Sequence, residues 1–339
     1  MNRGLAIKIL IFALIAAMIL PAIGKIGGCS PSSNVPSTPS EPTTPKPVVN
    51  VDVPTASGDT INAFTAKQVA FGPRVPNTAA HKACKDWIIK KLKSYGVTVV
   101  EQNFTEKSYN GITLNGTNII GKINPGNSRR VMLASHWDTR PFADSDPDLA
   151  KRKKSFDSAD DGASGVASLL ETARLMQKNP CDVGVDLVFF DLEDYGDNNG
   201  AAENWCLGSQ YWAKTKGNYM ARFGVLFDMT GGKNARFDKE AVSMQYAPII
   251  TTKLWAIAEE LGYANLFVNE KGSPVTDDHY FVNQVGIPMV DIINRNPDGS
   301  FGSYHHTTAD NLANLDKSTL QSVLQVVLTA VYREGKGVM

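Results

Sequence analysis

From residue 79 to the C-terminus, short apolar runs alternate with amphipathic helical stretches, and few folds accommodate that alternation. Helix-period patterns cover residues 79–95, 165–177, 208–216, 248–261, 278–283 and 317–333, with strand-like runs at 97–104, 112–123, 131–135, 185–190, 223–227, 266–268 and 287–293. The shortest runs are apolar almost throughout, the mark of strands buried on both faces. The spacing therefore predicts an α/β fold: a single domain with a central, mostly parallel, twisted sheet flanked by helices on both faces, an α/β/α sandwich. In such a sheet ligands bind in the crevice beyond the carboxyl ends of the strands. That rule makes candidates of whatever residues follow each run.

Those residues are acids and histidines. His136 and Asp138 follow the run at 131–135, Glu193 and Asp194 the run at 185–190, Asp228 the run at 223–227, and His305 and His306 come after 287–293. Asp277 opens the helix pattern at 278–283. In the loop 155–165, Asp160 and Asp161 precede a helix among small residues that let the backbone turn tightly. Alone, such a loop reads equally as a solvated helix cap. The chain has five histidines, and four of them (His136, His279, His305 and His306) fall in these segments. Histidine and carboxylate donors without cysteine suit a borderline divalent cation, zinc above all, and a catalytic zinc takes three protein ligands and keeps a fourth position open.

The front of the chain is of another kind. Residues 1–28 carry Arg3, Lys8 and Lys25, no acid, and an apolar run at 9–20 that is short for a membrane span. The run ends Ile26-Gly-Gly-Cys29, which resembles a bacterial lipoprotein signal, with Cys29 as the lipid anchor. Residues 29–50, rich in Ser, Thr and Pro, read as a tether, and 51–339 as the globular domain. The expected location is the cell envelope, anchored through lipid and facing the periplasm. Without residues 1–28, 31 cations face 34 acids, a net of −3, and nothing suggests a nucleic-acid partner. The basic run at 151–154 reads as a solvated loop. Cys84, Cys181 and Cys206 permit one disulfide and leave one thiol, with the pair undetermined. His81 reads as a helix-surface histidine, Arg140 as a substrate or ion-pair residue, and Trp137 and Trp205 as pocket walls or core.

The segments His136-Trp-Asp138, Asp160-Asp-Gly-Ala-Ser-Gly165, Phe189-Phe-Asp-Leu-Glu-Asp194, Leu226-Phe-Asp-Met229 and His305-His-Thr-Thr-Ala-Asp310 resemble, in order and spacing, the zinc-dependent aminopeptidase superfamily. Within it the chain is most similar to the glutaminyl-peptide cyclotransferases (glutaminyl cyclases), from about residue 64 to the C-terminus. The resemblance implies one zinc per chain, held by Asp161, Asp194 and His306, with Asp160 a neighbour. It implies Glu193 as general base and acid, Asp277 and Asp228 as hydrogen-bonding aspartates of the active site, and Phe301 as an aromatic wall. Tyr304, His305 and Trp205 are expected in the same pocket, and His136 and Asp138 beside the metal or as ligands of a second one. The implied reaction converts an N-terminal Gln of peptides or proteins to pyroglutamate with release of ammonia, by a monomeric enzyme.

Three departures stand out. Animal members have Glu where this chain has Asp194, Trp where it has His305, and His where it has Asp291. The rival within the superfamily is a two-zinc aminopeptidase, in which His136 and Asp228 bind a second zinc, Asp161 bridges, and Glu193 activates water. Asp277 favours the cyclase, since aminopeptidases usually place a small hydroxyl residue there. A binding lipoprotein without catalysis is the third reading, and the retained acid pair argues against it.

Overall fold

A computed structural model describes residues 51–198 and 200–339. The lipoprotein signal, Cys29 and the tether lie outside the described residues. The elements run α1 (Gly58–Val69), α2 (Ala79–Ser94), β1 (Thr98–Lys107), β2 (Thr113–Ile123), β3 (Arg130–His136), α3 (Ala163–Lys178), β4 (Gly184–Phe190), α4 (Leu207–Thr215) and β5 (Gly224–Asp228). Then follow β6 (Phe237–Lys239), α5 (Ala241–Tyr246), α6 (Pro248–Glu260), β7 (Phe267–Lys271), α7 (Asp278–Gln284), β8 (Met289–Ile293) and α8 (Lys317–Gly335).

Six strands form one sheet in the order β1-β2-β4-β3-β5-β8. The last four are mutually parallel, while β1 and β2 form an antiparallel edge, β2 pairing antiparallel to β4. Strand alternation divides the core between the two faces. Val131 and Leu133 of β3, Leu187 and Phe189 of β4 and Val290 of β8 face one cluster with Ile88 of α2, Leu169 of α3, Leu254 of α6 and Val323 of α8. Met132, Ala134, Val188, Phe190 and Met289 face the other, with Trp212 of α4 and Val282 of α7. The expected sandwich is the one observed.

Local chemistry sets the helix starts. Thr78 caps α2 by accepting from the His81 amide at 3.2 Å, and Pro248 opens α6, where a missing N–H costs nothing. Glycines let α3 enter the site. Gly162 has φ +81, and a Cβ there would press on the His136 ring; a Cβ on Gly165 would collide with Ser135 Oγ and the Phe227 carbonyl. The small residues of the acidic loop therefore bring α3 hard against the ends of β3 and β5.

Three elements have no counterpart in the sequence reading: α1, β6 and α5. The run at 266–268 becomes β7, which pairs with β6 in a separate two-stranded sheet. No disulfide forms among the described cysteines: Cys84, Cys181 and Cys206 are all free and buried. No described helix is long and apolar enough to cross a membrane.

Candidate active site

The four parallel strands end at one edge, and the expected residues meet there. His136 and Asp228 are the last residues of β3 and β5, while Glu193 and Asp194 follow β4. His306 comes from the loop after β8. Its Nε2 lies 3.5 Å from Asp161 Oδ2 and 3.1 Å from Asp194 Oδ1. Both carboxylate oxygens are buried and have no hydrogen-bond partner, so these close approaches are not hydrogen bonds but donors converging on a common point. Four ligands of a tetrahedral zinc at ~2.0–2.1 Å lie about 3.4 Å from one another, so the spacing fits. Burial pushes His306 down to about 4, which leaves its ring neutral, as a metal ligand must be.

Asp161 has a second neighbourhood. Its Oδ1 is 3.0 Å from His136 Nε2, which is 3.4 Å from Asp228 Oδ1, and neither that nitrogen nor the Asp228 oxygen makes a hydrogen bond. Donor atoms of His136, Asp161 and Asp228 all lie within 4.8 Å of one another, as do those of Asp161, His305 and His306. Asp161 thus stands between two possible cation positions.

Protein donors saturate Asp160, which separates it from its neighbour. Its Oδ1 accepts from the Gly231 amide at 2.7 Å and its Oδ2 from the Tyr304 hydroxyl at 2.6 Å. Asp310 carries the loop by accepting from the amides of Asp160 and Asp161, at 2.8 and 3.2 Å. Arg74, fully buried, donates to the carbonyls of Asp157 and Ser158. Asp138 accepts the Glu193 and Asp194 amides at 3.0 and 3.2 Å, fixing the acid pair through its backbone. Arg140 pairs with Asp144 and donates to the carbonyls of Asp194 and Gly196, so it is an ion-pair and scaffold residue. The supporting roles of Arg74 and Asp310 were not legible in advance, since their partners lie 83 and 150 residues away.

Backbone strain concentrates here. Among described residues other than Gly and Asn, positive φ occurs at Ser158, Leu192, Cys206, Met229 and His306, and every one sits in a loop of this site. Left-handed backbone costs such residues on the order of 1–3 kcal/mol each and persists where surrounding contacts enforce it.

A cleft of about 440 Å³ opens over these groups, lined among others by Glu193, Asp277, Trp205, Phe301 and His305. Burial pushes the carboxyls of Glu193 and Asp194 well above the usual range, and takes Asp228 up to about 8. The Cys206 thiol donates to Glu193 Oε1 at 3.4 Å. Asp277 caps α7 through Oδ1, while its buried Oδ2 has no partner. Behind it, His279 meets Glu240 at 3.1 Å.

Two expectations are corrected, and one open alternative is resolved. Tyr304 does not line the cleft; its hydroxyl is turned onto Asp160 Oδ2, the carboxylate oxygen that the Gly231 amide does not reach. His81 is buried rather than on the surface, bonded to Asp191 at 2.8 Å and stacked on Trp137 at 4.1 Å. Trp137 is in consequence core, not pocket wall.

The family model for peptidase family M28 matches residues 118–331, well over half of the chain. The chain belongs to that family. Among solved structures of similar fold, a Zn-dependent exopeptidase from Parabacteroides distasonis ATCC 8503 is 46% identical, covering 83% of this chain and 99% of that one, with a TM-score of 0.81. Tannerella forsythia glutaminyl cyclase is likewise 46% identical, over 82% of this chain and 99% of that one, with a TM-score of 0.80. The chain is also similar to aminopeptidase YwaD of Bacillus subtilis, at 25% identity over 78% of this chain and 54% of that one. This chain thus spans about half the length of YwaD.

Proposed function

We propose that the chain is a glutaminyl-peptide cyclotransferase that closes N-terminal Gln of peptides or proteins to pyroglutamate and releases ammonia. The observation carrying this is the convergence of Asp161, Asp194 and His306 beside Glu193, at a cleft that Asp277 also lines. The 46% identity to a glutaminyl cyclase over almost that whole chain supports it.

Asp161, Asp194 and His306 would hold one zinc per chain. The chemistry a zinc supplies there is Lewis-acid polarisation of the substrate's carboxamide oxygen. Glu193 takes the proton from the attacking α-amine and returns it to the departing amide nitrogen, so that ammonia leaves and no net proton is consumed. Its burial, which raises the carboxyl's proton affinity, suits a group that must both accept and donate. The free Oδ2 of Asp277 accepts a hydrogen bond from the amine or the leaving nitrogen. Trp205, Phe301 and His305 confine the glutamine chain so that amine and carboxamide meet, and proximity of this kind contributes on the order of several kcal/mol. Asp194, one methylene shorter than the Glu of animal members, still reaches His306 to 3.1 Å, and its amide donates to Asp138 at 3.2 Å.

A second reading keeps a specific observation behind it. His136, Asp161 and Asp228 have the spacing of a second cation site, as a two-zinc aminopeptidase requires. Incubating the protein with a Gln-peptide and with a chromogenic amino-acid amide separates the readings: ammonia from the first supports the cyclase, and hydrolysis of the second with no ammonia overturns it. We further read residues 1–28 as a lipoprotein signal and Cys29 as the anchor that holds a monomeric enzyme to the cell envelope, facing the periplasm. Radiolabelled palmitate incorporated by the native chain and lost in Cys29→Ala tests the anchor.

A further inference from the structure

Cys206 differs from the other two described cysteines in what it touches. It precedes α4 with φ +56, held there because its amide donates to the Glu193 carbonyl at 2.9 Å and the Leu207 amide to the Leu192 carbonyl at 3.0 Å. This conformation delivers the thiol to Glu193 Oε1. Across from it, Asp277 is 3% exposed and its Oδ2 is without a partner. One donor atom each from Glu193, Cys206 and Asp277 lie within 4.8 Å of one another. Around a tetrahedral ion with metal–sulfur and metal–oxygen bonds of ~2.3 and ~2.1 Å, sulfur and oxygen are about 3.6 Å apart, near the 3.4 Å found here. Glu193 and Asp277 line the cleft, so an ion has an entry path. None of the three belongs to the Asp161 clusters described above.

We propose that Glu193, Cys206 and Asp277 form a separate, inhibitory site for a thiophilic divalent cation, filled by Cd2+ or by zinc in excess. On binding, the Cys206 S–H bond breaks, its proton passes to solvent, and a metal–sulfur bond forms. Burial and the neighbouring acids keep the free thiol protonated, and the cation's charge reverses that balance. Cd2+, the softer ion, binds the thiolate preferentially. Glu193, once bound to the ion, cannot accept the substrate's proton. The inhibitory effect rests on the role proposed for Glu193, whereas binding itself does not.

The test titrates Cd2+ into the full chain carrying its zinc, recording the ultraviolet cadmium–thiolate band, the zinc retained and the rate of ammonia release from a Gln-peptide relative to each protein's own starting rate. The wild type should develop the band and lose activity over one concentration range with its zinc retained. Cys206→Ser should show no band, and its inhibition should need about tenfold more Cd2+ or higher. Asp277→Asn, which keeps the thiol, should shift the band to higher concentration by a similar factor. A band of wild-type strength in Cys206→Ser, its absence from the wild type, or zinc expelled in step with inhibition overturns the proposal. A chain that released amino acids and no ammonia would remove the cyclase reading, and the band would still decide the cation site.

Discussion

At the residue scale, the two carboxylates that follow β4 differ by one position and face different tasks. Asp194 points to His306, while Glu193 faces the cleft and the Cys206 thiol. Glu193→Gln preserves shape and removes the proton carrier, so ammonia release should fall by ~10²–10⁴-fold with bound zinc unchanged, as measured on one sample by rate and metal content. Tyr304→Phe tests the corrected role of that residue. It strips Asp160 Oδ2 of the Tyr304 hydroxyl donor, and the urea midpoint should drop by the equivalent of about 1–3 kcal/mol. An unchanged midpoint would mean that the contact contributes nothing. Individual site residues were legible because acids and histidines after buried runs are rare. The orientations of His81 and Tyr304 were not, because Asp191 and Asp160, which turn them inward, stand 110 and 144 positions away.

At the element scale, the acidic loop is positioned from both sides, by Asp310 from the His306 segment and by Arg74 from the turn before α2. The Arg74 backbone also pairs with Thr139, so one residue ties the acidic loop to the His136 segment. Arg74→Lys keeps the charge and loses the fork that reaches two carbonyls, and zinc affinity by chelator competition should weaken ~10–100-fold. Glu240 makes a prediction in pH. It is the N-cap of α5, and although burial works against its charge, hydrogen bonds from His279 and the Ser243 and Val242 amides hold it down to about 2 from its ordinary 4.5. A depressed carboxyl stabilises the fold above its unfolded value, so this contribution is whole above about pH 4.5 and fades as pH falls towards 2. Glu240→Gln should therefore lower the melting temperature at pH 7 and narrow the gap from wild type between pH 4.5 and 2. The elements missing from the sequence reading have physical reasons. The buried face of α1 is Gly58, Ile61, Thr65 and Gln68, too polar to show apolar periodicity, and β6 and α5 span only three and six residues.

At the scale of the whole molecule, the sheet explains why a site assembled from residues 136 to 306 exists at all. Four neighbouring parallel strands end together, and every loop leaving that edge brings one or two donors to the same place. Parallel strands share one carboxyl edge whatever their order, so the common edge was predictable from the alternation of strands with helices, whereas the bend of each loop depends on left-handed residues that no local pattern announces. The same convergence leaves Asp161 between two cation positions, and the number of metals separates the cyclase from its rival. The most direct measurement is a titration of metal-free protein with zinc, following ammonia release from a Gln-peptide. Activity that rises in proportion to added zinc and levels off at one equivalent per chain is the predicted result; a plateau only at two equivalents, with free amino acid as the product and no ammonia, would contradict it.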